Sequence, residues 1–154
     1  MHIAIDIHDI TATGGLENVV TGLANNLIQR GHLVTCFTYS PATATPRFFL
    51  NPDIIIERYT FTGDSTTLPS LERRLSECAP DAFISPSSFN NILLWCSVLK
   101  SLNIPLIYSE HSDPDIIENE RWDRRERQAA LWAADAIHLL LPPFLNSVPE
   151  KLQA

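Results

Sequence analysis

Short apolar runs alternate with stretches of helical period along the whole chain. Ile3-Ala4-Ile5-Asp6-Ile7 is apolar and bounded by polar residues, and Leu16, Val19, Val20, Leu23, Ala24, Leu27 and Ile28 then recur at i, i+3, i+4, i+7 spacing. The pattern predicts a strand followed by an amphipathic helix. Gly31 stands where a helix ends in the left-handed conformation, and the β-branched and aromatic run 33–39 predicts a second strand directly after it. Residues 40–52, with three prolines, read as an irregular connection to a third strand at Ile54-Ile55-Ile56. Leu68 to Cys78 has a helical pattern closed by Pro80, and Asp81-Ala82-Phe83-Ile84-Ser85 then reads as a buried strand. Ser87 or Ser88 suits the cap of a helix whose apolar face is Phe89, Ile92, Leu93, Cys96 and Leu99. A strand at 105–109, a polar loop at 110–114, one long helix from Asp115 to Ala134 and a last strand at 136–141 complete the series. In that long helix Trp122, Leu131, Trp132 and Ala133 form the packing side. Glu120, Arg121, Asp123, Arg124, Arg125, Glu126 and Arg127 form the solvated side.

Strands alternating with helices at this density predict an α/β fold: a doubly wound, mostly parallel sheet with helices on both faces. Ligands of such sheets bind beyond the carboxyl ends of the strands, which selects loops 8–15, 85–91 and 109–114. The chain has 154 residues, 45% of them hydrophobic and 19% charged, which suits one globular domain rather than a disordered chain. No apolar run approaches the ~18 residues that span a bilayer. The N-terminus enters a strand at once, without a basic region or a cleavage site, so a cytoplasmic location is expected. Eleven Lys and Arg against 18 Asp and Glu give a net charge of −7, which argues against a nucleic-acid partner. Cys36, Cys78 and Cys96 are far apart and sit in apolar surroundings, as small buried thiols do.

Three segments could carry chemistry. Thr13-Gly14-Gly15-Leu16-Glu17 joins the first strand to the first helix, where paired glycines let backbone approach a ligand and free N–H groups favour an anion such as a phosphate. The alternative is a tight turn that needs positive φ, with Glu17 complementing the helix dipole. Ser109-Glu110-His111-Ser112-Asp113-Pro114 lies at another strand end. His111 there could donate to a sugar oxygen or act as acid or base, with Glu110 orienting it or binding a hydroxyl; a loop histidine bonded to backbone is the alternative. In Ser85-Pro86-Ser87-Ser88-Phe89-Asn90-Asn91 a helix cap accounts for one serine, and the other polar groups could read a polyhydroxylated ligand. His8 and Asp9, with His111 and Asp113, raise the question of a metal, but their spacing matches no ligand set, and no metal is expected. His2, His32 and His138 read as strand-end or solvent residues.

In this order the segments resemble a known family. Ile3 to Asp9, Gly14-Gly15-Leu16-Glu17-Asn18-Val19-Val20, Arg30-Gly31-His32, Pro80 to Ser85, Ile104-Pro105-Leu106-Ile107, Ser109-Glu110-His111 and Ala134-Asp135-Ala136 resemble the N-terminal domain of GT-B-fold, family 4 (group 1) retaining glycosyltransferases. The resemblance implies a Rossmann-like domain forming one half of a GT-B fold. It implies transfer of a sugar from a nucleotide-diphosphate donor to an acceptor, without a cofactor or metal, through electrostatic stabilisation of the departing diphosphate. Carried over by position, Gly14 and Gly15 would approach the diphosphate or shape the acceptor pocket. His111 is the catalytic candidate near the transferred sugar, and Glu17, Ser87, Asn91 and Glu110 are substrate-binding candidates. The second, donor-binding domain of such enzymes has no counterpart here, so 1–154 is expected to be an acceptor-side domain, inactive alone, with that C-terminal domain as its partner. The resemblance allows peripheral membrane contact of the parent protein and artificial homodimers of the isolated domain. A stand-alone Rossmann-like nucleotide-binding or accessory module, or half of a nucleotide-sugar epimerase, are the alternative readings.

Overall fold

The computed structural model describes residues 1–60, 67–86, 92–120 and 124–153. In chain order the elements are β1 (His2–Asp6), α1 (Gly15–Gln29), β2 (Leu33–Thr38), β3 (Ile55–Arg58), α2 (Thr67–Cys78), β4 (Ala82–Ser85), α3 (Ile92–Leu102), β5 (Leu106–Glu110), α4 (Pro114–Glu120), α5 (Arg124–Ala133) and β6 (Ala136–Leu139). Two 3-10 turns follow, at Pro142–Ser147 and Glu150–Leu152. The six strands are parallel and ordered β3-β2-β1-β4-β5-β6, the strand order of Rossmann sheets. The order reverses between β1 and β4, which places the topological switch point where the chain leaves β1. Residues 1–84 and 85–154 form two compact units.

In the first unit β1 pairs with β2 from His2↔Leu33 to Asp6↔Phe37, and with β4 from Ile3↔Ala82 to Ile5↔Ile84. A strand flanked on both sides and covered on both faces needs apolar residues at consecutive positions. Ile3, Ala4 and Ile5 are accordingly buried, with Val34, Cys36, Phe37, Leu71, Leu75 and Phe83 around them. β3 starts at Ile55, one residue later than the apolar run suggested. Ile54 turns its side chain into the core, while its amide closes a turn on the Asn51 carbonyl. α1 buries Val20, Thr21 and Ala24 but leaves Val19 and Leu23 exposed, so only one margin of its apolar stripe meets the sheet.

In the second unit Ile92, Tyr108, Ala130, Leu131 and Val148 form the core, with Cys96, Ala134, Ile137, Leu139 and Leu152 against it. α3 buries Ile92, Trp95, Val98 and Leu99, whereas Leu93 is exposed; its inner face is rotated by about one residue from the predicted one. The expected capping serines and Phe89 lie outside the described residues. Where one helix over 115–134 was expected, α4 and α5 are described, with 121–123, including Trp122, outside the described residues. Trp132 and Ala133, expected to pack, are exposed. Arg127, expected in solvent, is fully buried.

α1 ends at Gly31 with φ +81°, as predicted, and α2 uses the same left-handed ending at Ala79, φ 45°, whose amide bonds the Leu75 carbonyl. A Cβ in that conformation costs about 1 kcal/mol, which glycine avoids. Ala79→Gly should therefore stabilise the fold by up to about 1 kcal/mol, whereas Phe37→Ala should cost about 3–5 kcal/mol. Urea denaturation followed by circular dichroism reads both.

Candidate functional site

The loop leaving β1 is fixed before it reaches the glycines. The Ile7 amide continues the ladder onto the Phe37 carbonyl, and the Tyr39 amide bonds the His8 carbonyl at 3.0 Å. Asp9 Oδ1 accepts from the Thr11 amide (2.9 Å), the Thr11 hydroxyl (2.7 Å) and the Ser40 hydroxyl (2.8 Å). These donors, the Thr11 hydroxyl foremost, hold its carboxyl below the usual aspartate range. Ile10 is fully buried, with its amide on Ser40 Oγ and its carbonyl on the Arg47 amide. Asp9 is therefore engaged within the loop. Among the described residues no three His, Cys, Asp or Glu side chains are grouped as a metal would require.

The loop ends at Gly14, the N-cap of α1, with φ −72° and ψ 162° and no side-chain cap. Neither Gly14 nor Gly15 has positive φ, so the tight-turn explanation for the pair does not hold. A side chain on Gly14 would meet the carboxylate of Glu17, which folds back over the helix start. A Cβ on Gly15 would meet nothing within 4 Å. Glycine in the first turn of a helix sacrifices stability relative to alanine, and nothing among the described residues requires it at this position. Gly14 supplies no side-chain cap, but the Glu17 carboxylate already lies over the helix start, so an incoming anion reaches the first N–H groups and the positive end of the dipole from the Gly15 side or after Glu17 swings away.

Beside this loop the carboxyl ends of β1, β2 and β3 enclose a cavity of about 740 Å³ lined by His8, Asp9, Tyr39, Arg58, Tyr59 and Arg74, among others. The rings of His8 and Tyr39 stack at 5.7 Å with an interplanar angle of 2°, and Tyr59 meets Tyr39 edge-on. Arg58 holds the Pro41 and Ala44 carbonyls, and Arg74 pairs with Glu57 at 2.6 Å. Sequence reasoning reached His8 and Asp9 here but not the tyrosines or arginines. Their common feature, lying at or just beyond the last residues of successive strands, could have identified Tyr39, Arg58 and Tyr59 once the strands were placed.

In the second unit, β5 delivers Glu110 and His111 in opposite senses. Glu110 is 1% exposed and both of its oxygens are held by Arg127, Nε at 2.7 Å and Nη2 at 2.8 Å, while the Tyr108 hydroxyl donates to Oε1 at 3.0 Å. Arg127 Nη2 also donates to Ser147 Oγ at 2.8 Å. Glu110 therefore neither orients His111 nor presents a carboxylate to a ligand; it closes an internal ion pair. His111 is half-buried, with Nε2 2.9 Å from Ser109 Oγ, and Ser109 Oγ lies 2.8 Å from His138 Nδ1. Burial and the neighbouring His138 hold the His111 imidazole below its ordinary value. His138, exposed near the end of β6 as expected, also bonds the Ser109 hydroxyl. Ser87 and Asn91 lie outside the described residues, as do the other residues of 87–91. Burial pushes the Cys36 thiol up to about 12 and the Cys96 thiol up to about 11, so neither is a reactive thiolate near neutrality.

The model for Glycosyltransferase Family 4 matches residues 13–141. The chain belongs to this family. No functionally curated protein matches it by sequence. Among solved structures it is similar to a Listeria monocytogenes protein assigned as UDP-N-acetylglucosamine 2-epimerase, with TM-score 0.71, 10% identity and coverage of 96% of this chain and 41% of that one. It is also similar to the lipopolysaccharide outer core galactosyltransferase WaaB, with TM-score 0.67, 13% identity and coverage of 96% and 42%. Anabaena Alr3699/HepE in complex with UDP gives TM-score 0.60, 13% identity and coverage of 88% and 36%. At these identities the likeness is one of fold, and the family chain described here spans about two fifths of those chains' length. Among the described residues no helix is long and apolar enough to cross a membrane.

Removing Arg127 would leave the Glu110 carboxylate buried without its counterion. Arg127→Met should therefore cost about 3–5 kcal/mol, and the double variant Glu110→Leu/Arg127→Met should recover most of that loss in urea denaturation. His111 titrates lower in the fold than in the open chain, so between its folded value and 6.5 the unfolded state binds more protons. That contribution is present above pH 6.5 and fades as pH falls toward the folded value. The slope of unfolding free energy against pH, measured across about pH 5 to 7, should be shallower in His111→Gln than in the wild type.

Proposed function

We propose that this chain is the N-terminal, acceptor-side domain of a retaining glycosyltransferase that transfers a sugar from a nucleotide-diphosphate donor to an acceptor. The observation that carries the reading is the start of α1: two glycines without positive φ, no side-chain cap, and open space over Gly15. A diphosphate is the group that such a surface suits, because backbone N–H groups and the helix dipole stabilise negative charge without a counter-cation. Family membership adds support, as do solved structures of similar fold whose ligand is UDP.

Within this reading Gly14 and Gly15 give the donor phosphates access, and Glu17 is an acceptor-side candidate. His111 contacts the transferred sugar, and Ser87 and Asn91 remain acceptor-side candidates. Glu110 acts at one remove, holding the strand end from which His111 projects. The cavity with the exposed His8 and Tyr39 rings, backed by the buried Tyr59, serves the acceptor, since aromatic faces pack against the apolar faces of sugar rings. Rate enhancement comes from stabilising charge on the departing diphosphate, with no resident metal. A second α/β domain supplies the rest of the donor site, so the domain alone has little transferase activity. An epimerase on the same plan would share this phosphate-facing loop and differ in its product.

Isothermal titration of the full-length protein with a panel of nucleotide-diphosphate sugars tests the reading. At least one donor should bind, and Gly15→Trp, which fills the open space, should weaken binding tenfold or more, about 1.4 kcal/mol. Binding untouched by Gly15→Trp, or no binding to any donor, overturns it.

A further inference from the structure

His138 lies one strand away from His111, and no feature of the sequence connects them. In the structure a single hydroxyl does: Ser109 Oγ is 2.9 Å from His111 Nε2 and 2.8 Å from His138 Nδ1, with the two rings 6.2 Å apart. Ser109 is 7% exposed, so its hydroxyl has little access to water as an alternative partner. A hydroxyl has one proton to give and lone pairs to accept with. If it donates to one imidazole, the other imidazole must donate to it, so the two tautomers are coupled.

One arrangement leaves both rings in the tautomer that an isolated imidazole prefers, with the proton on Nε2. His111 Nε2–H donates to Ser109 Oγ, Ser109 donates to His138 Nδ1, and the exposed His138 keeps its Nε2–H toward water. We infer that His138, acting through Ser109, is a positioning residue that fixes His111 in the Nε2–H tautomer and presents its bare Nδ1 as a hydrogen-bond acceptor. The group that suits a bare imidazole nitrogen is a donor, such as a sugar hydroxyl; a phosphate or carboxylate oxygen would be repelled. This choice of ligand group rests on the glycosyltransferase reading, whereas the coupling of the rings does not.

Long-range ¹H–¹⁵N correlation spectra of the histidine rings, recorded without sugar at about pH 8, above the ordinary imidazole range, test the coupling. The wild type should show His111 with a protonated Nε2 and an unprotonated Nδ1. His138→Asn keeps an acceptor near the Nδ1 position and should leave that signature in place. His138→Phe removes the acceptor, frees the Ser109 proton for His111 Nε2, and should turn the signature into a mixture or its reverse. Ser109→Ala should also lose the single tautomer. Should Ser109→Ala fail to fold, His138→Phe, at an exposed position, carries the test. A wild-type His111 protonated on Nδ1, or a His111 signature unchanged in His138→Phe, overturns the proposal. Donor titration can fail while these spectra hold, in which case the function falls and the coupling stands.

Discussion

The buried pair of Glu110 and Arg127 is the constraint on which the second unit's chemistry depends. Both carboxylate oxygens and two guanidinium nitrogens are matched within 2.8 Å, with Tyr108 and Ser147 taking up further bonding positions. Such a pair is held together by the cost of breaking it, since either partner alone would be a charge without water or counterion. Its effect is geometric. It ties the last residue of β5 to α5 and to the turn at Pro142–Ser147. His111, the next residue, is presented at the rim while its neighbour stays inside.

The first unit solves the same problem with neutral hydrogen bonds. Asp9 gathers two loop donors and the Ser40 hydroxyl, Ile10 is buried beneath them, and the backbone of 7–8 stays laddered to β2. The loop therefore reaches Gly14 in a fixed place, and α1 begins without a cap. A helix start left uncapped, with glycines that its own backbone does not require, trades stability for access. The switch point of the sheet, where β1 and β4 part, lies at the base of this loop.

Much of the fold was legible because strands covered on both faces are written as continuous apolar runs: Ile3 to Ile7, 33–39, Ala82 to Ser85 and 106–109 all appear close to where the sequence put them. Helix faces were less legible. Val19, Leu23 and Leu93 fit an apolar stripe by spacing, yet spacing cannot say how much of the stripe meets the sheet, and all three are exposed. Arg127 escapes the sequence pattern for a clear reason. It sits in a run of charges, and a local pattern cannot see that its counterion lies 17 residues back on another element. The same blindness to distant partners hid the link between His111 and His138. Loop positions fared best where the argument was topological. The glycine loop and 109–114 were singled out as carboxyl-end loops, and the structure places both there. The roles inside them, Glu110 above all, needed side-chain partners to read.

On the proposed function, the start of α1 faces the donor. Amide chemical-shift mapping of the ¹⁵N-labelled protein during titration with a nucleotide-diphosphate sugar reads this directly. The amides of Gly14, Gly15, Leu16 and Glu17 should move first and furthest, at the concentrations where binding saturates. Shifts confined to the groove lined by His2, Glu57 and Cys78, or to the groove lined by Lys100, Pro105 and Trp132, with the glycine amides still, would contradict it.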